Sequence, residues 1–161
     1  MNGRMLYAGT FDPITNGHLD LIRRGAAHAD ELVVGVLRNL AKHPTFSLET
    51  RTEMIRAATE GIEGVVIDSF DGLLADYVKE HDIGIVLRGL RATTDFEYEI
   101  QMAQMNARLY GAGVETIFLM TDPAHSFISS SIVKEVFALG GDVDGLVPPV
   151  VLEIMKNCSL N

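Results

Sequence analysis

The stretch Tyr7-Ala8-Gly9-Thr10-Phe11-Asp12-Pro13-Ile14-Thr15-Asn16-Gly17-His18 decides the fold. It starts where an apolar strand pattern (Met5-Leu6-Tyr7-Ala8) ends, turns through Gly, Asp and Pro, and delivers a histidine into the start of a helix. A helix start carries unpaired N–H groups and the positive end of the macrodipole, so it attracts phosphate. A histidine there can donate to an anionic oxygen, and Thr10 adds a hydroxyl beside a glycine that permits close backbone approach. The simpler alternative is a strand–turn–helix joint whose histidine only caps the helix.

Outward from this joint, five short apolar runs read as strands: Arg4–Ala8, Leu32–Leu37, Val65–Ile67, Ile83–Leu87 and Glu115–Met120. Continuous apolar runs of this kind fit parallel strands covered on both faces. Helical patterns separate them. The first carries Leu19, Leu21, Ile22 and Ala26; the second follows Ser47 with Met54, Ile55 and Ala58; the third follows Asp71 with Leu73, Leu74, Tyr77 and Val78. A long fourth spans Phe96–Tyr110, a fifth runs from Ser129 to about Leu139, and Pro148-Pro149 opens a last one. The alternation predicts an α/β fold: a doubly wound five-stranded parallel sheet, Rossmann-like, with a helical C-terminal extension.

At 161 residues the chain reads as one domain with a sizeable core, and 47% apolar composition excludes disorder. No run is long enough for a membrane span, no signal peptide is legible, and a single cysteine, Cys158, excludes a disulfide framework. The expectation is a cytoplasmic protein. A net charge of −9 disfavours nucleic acid as a partner and makes local cation clusters informative. Arg38 and Lys42 fall in one predicted loop and Arg88 and Arg91 in another, a pattern that suits a small anion.

In doubly wound sheets the ligand lies at the carboxyl ends of the strands. Four loops then open on one edge: Thr10, Asp12 and His18; Arg38, Asn39 and Lys42; Arg88-Gly89-Leu90-Arg91; and His125-Ser126-Phe127-Ile128-Ser129-Ser130-Ser131. Serine is a good N-cap, but three in a row exceed what capping needs and suggest a second phosphate cradle facing the first across the cleft. Paired arginines around a glycine suit bidentate phosphate contact, against the alternative of solvated surface residues. The G-x-G-x-x-G and G-x-x-x-x-G-K-[ST] patterns and the G-x-S-x-G elbow are absent, which disfavours dinucleotide, P-loop and nucleophile-elbow chemistry.

The fourth helix carries two apolar stripes, Phe96/Ile100/Ala103/Ala107/Tyr110 and Tyr98/Met102/Met105/Leu109, on roughly opposite faces. One is expected on the sheet and the other at a homo-oligomer interface. The polar flank containing Glu99 and Asn106 could reach the site.

With these motifs assembled the chain resembles the bacterial phosphopantetheine adenylyltransferases, over nearly its whole length. The resemblance rests on Gly9-Thr10-Phe11-Asp12-Pro13, Thr15-Asn16-Gly17-His18, Arg88-Gly89-Leu90-Arg91, Asp95-Phe96-Glu97-Tyr98-Glu99 and Ser126–Ser131. The T/H-x-G-H element and the serine-rich helix start belong to a wider nucleotidyltransferase superfamily; the Arg88–Glu99 stretch is narrower. The resemblance implies one nucleotidyltransferase domain over residues 1–161, Mg²⁺-assisted transfer of AMP from ATP to 4′-phosphopantetheine, and dephospho-coenzyme A and pyrophosphate as products. It also implies a homohexamer inhibited by coenzyme A.

By the same resemblance Thr10, Lys42, Leu74 and Arg88 contact the pantetheine substrate. Thr10, Phe11, His18, Gly89, Leu90, Arg91, Glu99 and His125, Ser126, Phe127, Ile128, Ser129, Ser130 and Ser131 contact ATP. The attacking phosphate is already an anion, so no general base, covalent nucleophile or protein metal ligand is required. His18, Lys42 and Ser130 are expected to stabilise the α-phosphate in the transition state, with Arg91 and the Ser129–Ser131 helix start on the leaving pyrophosphate. Ala8, His125 and Leu37-Arg38 depart from the commonest family pattern, but none is assigned to catalysis. The rivals are a superfamily transferase acting on another phosphorylated acceptor, which the Arg88–Glu99 stretch disfavours, and a catalytically silent sensing module, which the presence of His18, Lys42 and the serines disfavours.

Overall fold

A computed structural model of the chain describes residues 3–38, 43–91 and 93–158. Strands and helices alternate: β1 (Arg4–Gly9), α1 (Asn16–Ala26), β2 (Glu31–Leu37), α2 (Leu48–Ala58), β3 (Val65–Phe70), α3 (Leu74–Glu80), β4 (Ile85–Leu90), α4 (Thr93–Tyr110), β5 (Glu115–Met120), α5 (Ser130–Ala138) and α6 (Pro149–Asn157). A 3₁₀ turn at Pro123–His125, which the apolar periodicity does not announce, separates β5 from α5.

The five strands form one parallel sheet in the order β3-β2-β1-β4-β5. Successive side chains of a strand point to opposite faces, and β1 shows the consequence. Met5 and Tyr7 belong to a core built with Leu21 and Ile22 of α1, Met54 and Ile55 of α2, and Val151 and Met155 of α6. Leu6 and Ala8 belong to a second core with Ala75, Tyr77 and Val78 of α3 and Tyr110 of α4. The expected C-terminal extension is thus part of a layer: Val151 and Met155 are fully buried, and α6 rests on α2.

Strand order reverses between β1 and β4, and there the two strands part. Their pairing ends at Tyr7 opposite Leu87, whereas β1 stays paired with β2 to Gly9 and β4 stays paired with β5 to Leu90. The crevice beyond Tyr7 and Leu87 is the topological switch point where open α/β sheets bind ligands.

Two expectations need correction. The fourth strand runs Ile85–Leu90, not Ile83–Leu87, so Arg88, Gly89 and Leu90 are strand residues and only Arg91 follows it. Ile83 instead closes the turn after α3, donating its N–H to the Val78 carbonyl at 3.1 Å. The second concerns α4, where the first apolar stripe lies only partly on the sheet: Tyr110 is buried and Phe96 meets Phe118 of β5 edge-on at 6.4 Å, but Phe96 is 41% exposed, and the second stripe is open, with Tyr98 62% and Met105 56% exposed. The inward stripe is Glu99, Ala103, Asn106 and Tyr110, spaced i, i+4, i+7 and i+11, with only Tyr110 buried among the described residues of the helix.

Candidate active site

The β1–α1 turn is held from below. Phe11 takes a left-handed backbone (φ 47°), and its buried ring meets Tyr7 edge-on at 5.4 Å and His18 edge-on at 5.1 Å. Asp12, 5% exposed, accepts the Thr45 N–H at 3.0 Å and the Phe46 N–H at 2.9 Å. Its carboxylate also pairs with the Lys134 ammonium of α5. The loop after β2 and the helix after β5 are both anchored on this one residue.

Arg51 of α2 completes the anchoring. It is 1% exposed and donates to the carbonyls of Thr10 at 2.6 Å, Phe46 at 3.1 Å and Leu37 at 3.3 Å. A buried guanidinium is tolerated only where its N–H groups are satisfied, and here carbonyls at the ends of β1 and β2 satisfy them. Neither Arg51 nor Lys134 is singled out by motif reasoning. The signal was available: Arg51 falls on the stripe Leu48, Arg51, Ile55, Ala58, and Lys134 sits among Val133, Val136 and Phe137, so each is a cation among inward positions.

His18 both caps and points. The Thr15 N–H donates to His18 Nδ1 at 3.0 Å while the His18 N–H donates to Thr15 Oγ1 at 3.4 Å, a reciprocal capping box. Because Nδ1 accepts, the neutral ring carries its proton on Nε2, which is left for a ligand. Burial lowers the His18 pKa to about 4, and the Arg91 charge adds to this, so the ring is neutral at pH 7. The capping reading holds at Nδ1, and Nε2 stays available on the cleft side.

Across the chain, Ser129 caps α5 by accepting the Ile132 N–H at 3.2 Å, so the helix proper begins at Ser130. Ser130 Oγ donates to the Pro13 carbonyl at 2.8 Å. With the Lys134–Asp12 pair, this bonds the α5 start to the β1–α1 turn. The two helix starts therefore sit side by side in one wall and do not face each other across the cleft. Arg91 donates to the Ile128 carbonyl at 3.3 Å, at the edge of the same wall.

The cleft at the switch point has a volume of about 720 Å³. Its α1/α5 side is formed by Thr10, Gly17, His18, Thr121, His125 and Ile128–Ser131; its α3/α4 side includes Leu73, Leu74, Glu99, Met102, Asn106 and Tyr110. Tyr7, Arg88 and Gly89 lie between them. Arg88 is gripped side-on by Glu99, with Nε–Oε2 at 2.7 Å and Nη2–Oε1 at 2.8 Å, and donates from Nη1 to the Ala8 carbonyl at 3.2 Å. Its pKa is raised: the Glu99 bond and charge outweigh the burial that works against the cation. Gly89 faces α1, where a Cβ would stand 2.3 Å from Leu21 Cδ1, so close helix–strand packing favours glycine there.

Of the residues expected at the site, the structure brings Thr10, Phe11, His18, Leu74, Arg88, Gly89, Arg91, Glu99, His125, Ile128, Ser129, Ser130 and Ser131 to the cleft. Leu90 is buried in the strand, and Phe127, 66% exposed, and Ser126 stand outside the lining. Lys42 and Asn39 lie outside the described residues. No group of three or more His, Cys, Asp and Glu that could hold a metal occurs among the described residues.

The family model described as cytidylyltransferase-like matches residues 6–136. The chain is 51% identical over 150 residues to a phosphopantetheine adenylyltransferase of Dictyoglomus turgidum, covering 93% of each chain. It is also 51% identical over 152 residues to one of Streptomyces coelicolor, covering 94% of each. A solved structure assigned as a nicotinate-nucleotide adenylyltransferase, from Vibrio parahaemolyticus, superposes with a TM-score of 0.71 at 14% identity, covering 98% of this chain and 93% of that one. That likeness carries the fold alone. The fold, the family model over most of the chain and identity to these relatives along nearly its full length agree: this nucleotidyltransferase belongs to the phosphopantetheine adenylyltransferase family.

Proposed function

We propose that the protein transfers the adenylyl group of ATP to 4′-phosphopantetheine, releasing dephospho-coenzyme A and pyrophosphate. The observation that carries this reading is the asymmetry of the cleft. A wall of helix N-termini and a neutral histidine donor adjoins a lobe with Arg88 at its head and Leu73, Leu74 and Met102 along it. An acceptor with an anionic phosphate and a long arm of mixed polarity matches that lobe. The names of the relatives at 51% identity point to the same acceptor.

The chemistry is an in-line displacement at the α-phosphorus. An acceptor phosphate oxygen forms the new P–O bond as the bond to the bridging oxygen of pyrophosphate breaks, and no proton has to leave the nucleophile. His18 Nε2–H donates to a non-bridging α-phosphate oxygen, assisted by Lys42 and Ser130. Ser130 reaches it by exchanging its bond to the Pro13 carbonyl. Arg91 and the amides at the start of α5 hold the pyrophosphate, while Thr10 and Arg88 hold the acceptor phosphate. Such prearranged donors act where charge develops.

The cleft offers hydroxyl, imidazole, guanidinium and amide groups, and its carboxylate, Glu99, is committed to Arg88. This donor set suits Mg²⁺ carried on the phosphates of ATP, where it would neutralise charge on the triphosphate. Coenzyme A shares the pantetheine arm and is expected to compete for the α3/α4 lobe as an inhibitor. The exposed Phe96, Tyr98, Met105 and Leu109 of α4 support a homo-oligomer, which we take to be a hexamer working in the cytoplasm.

The reading is tested by incubating the protein with ATP, Mg²⁺ and 4′-phosphopantetheine while following pyrophosphate and dephospho-coenzyme A, with CTP in a parallel arm. Equimolar appearance of both products with ATP, and little with CTP, is expected. Product with a different phosphorylated acceptor and none with phosphopantetheine would overturn it.

A further inference from the structure

We propose that Tyr110 is a specificity-determining residue of the acceptor lobe: its hydroxyl donates to a neutral oxygen, an amide carbonyl or a hydroxyl, in the arm of the acceptor. The inference rests on the adenylyl-transfer reading above and adds to it a contact that neither the motifs nor the resemblance assigns.

Tyr110 ends α4, and it is 5% exposed, packed in the core that holds Leu6, Tyr77 and Val86. Its Oη is the one buried side-chain polar atom without a hydrogen-bond partner among the described residues. Tyr77, equally buried in the same core, shows the ordinary arrangement: its hydroxyl donates to Asp68 at 2.7 Å. Buried hydroxyls are hydrogen-bonded in the large majority of cases, so an orphan on the wall of a ligand cleft calls for a partner that arrives with the ligand. Tyr110 lines that cleft together with Val86, Ala103, Asn106 and Thr116.

The surroundings decide the class of partner. Burial is the largest influence on Tyr110 and raises its pKa, against the Arg88 charge and the Asn106 amide, so the hydroxyl keeps its proton and is a donor at neutral pH. Asn106, one turn earlier on the inward stripe, acts on Oη from outside hydrogen-bonding geometry. Val86 and Thr116 stand opposite each other on β4 and β5, and with Ala103 and Asn106 they bring no charge. An anionic phosphate belongs with the cationic Arg88 at the head of the lobe, and a polar but uncharged segment belongs here. Such a donor discriminates against an arm that lacks the oxygen, because the hydroxyl then stays unpaired.

Steady-state kinetics, with each substrate varied at saturating concentration of the other, and thermal unfolding of the full-length protein and Tyr110→Phe test the assignment. The substitution removes one oxygen and keeps the ring in the core. Tyr110→Phe is expected to raise the KM for 4′-phosphopantetheine about three- to ten-fold, the size of a hydrogen bond between uncharged groups, while the KM for ATP stays within about two-fold. The Tm of the free protein should be unchanged or higher, since an unpaired buried hydroxyl is removed. An unchanged KM for the acceptor would overturn the proposal and leave the hydroxyl to solvent. A rise confined to the KM for ATP would overturn it, as would a rise for the acceptor beyond about thirty-fold, the mark of a charged partner. A Tm lowered by several degrees would make the hydroxyl a structural group and overturn it too. If the protein acts on another phosphorylated acceptor, the function reading fails, but the split measured with that acceptor still decides the role of Tyr110.

Discussion

The two sides of the cleft are built to different standards. On the α1/α5 side the groups that hold the β1–α1 turn are tied down. Asp12 has three donors, Arg51 three carbonyls, Thr15 and His18 cap each other, and Ser130 is bonded to Pro13. On the α3/α4 side the wall is a helix whose inward stripe is half polar and most of whose large apolar residues are exposed. There, Tyr110 Oη is buried without a hydrogen-bond partner, and Leu73 is 59% exposed. The contrast fits the roles proposed for the two sides. Phosphate chemistry rewards donors fixed in advance, whereas a long flexible acceptor can be held by a wall completed from outside, by a second copy of the chain or by the ligand.

The comparison is broken most severely at Arg51. Arg51→Leu would leave three carbonyls without their donor inside the rigid wall, at a cost of about 3 kcal/mol or more, since each unsatisfied buried acceptor costs on the order of 1 kcal/mol. Thermal unfolding should show a drop of several degrees, together with lost activity. Gly89→Ala tests packing where α1 meets β4. A Cβ 2.3 Å from Leu21 Cδ1 forces the buried Leu21 side chain to move, with a destabilisation of about 1–3 kcal/mol in denaturant unfolding.

A pH prediction follows from His18. Its folded pKa of about 4 lies below the unfolded value near 6.5, so the folded state resists the proton that the unfolded chain accepts. Stability from this group is complete above about pH 6.5 and is lost as pH falls toward 4. Across that window His18→Gln should flatten the stability–pH curve by up to about 3 kcal/mol, the equivalent of the pKa difference. An unchanged slope would mean that His18 is not held neutral. The smallest effect on monomer stability is expected on the loose side. Met105→Glu places a charge on the outward face of α4 and should change the oligomeric state in ultracentrifugation, with monomer stability altered by less than about 0.5 kcal/mol. An unchanged assembly would put the interface elsewhere.

What was legible in the sequence divides along the same line. The parallel sheet, the turn from Gly9 to His18 and the Ser129 cap are local: a continuous apolar run, a turn signal and a capping residue each announce themselves within a few positions. The end of β4 was not legible, because Arg88 and Gly89 look like loop residues until β5 pairs with them. Nor was the orientation of α4, whose exposed Phe, Tyr and Met residues imitate a core stripe while Glu99 and Asn106 face the cleft. Arg51, Lys134 and the Arg88–Glu99 pair have partners from 5 to 122 residues away; the stripes mark Arg51 and Lys134 as inward cations, but spacing within a motif does not name the partners.

We propose above that a neutral His18, held by its own helix cap, donates to the α-phosphate as charge develops there. Steady-state kinetics of His18→Ala against ATP test it most directly. A fall in kcat of about a hundred-fold or more is expected, with the KM for ATP changed by no more than a few-fold, as for a contact made chiefly in the transition state. A variant with near-normal kcat and a raised KM for ATP would make His18 a ground-state binding residue and contradict it.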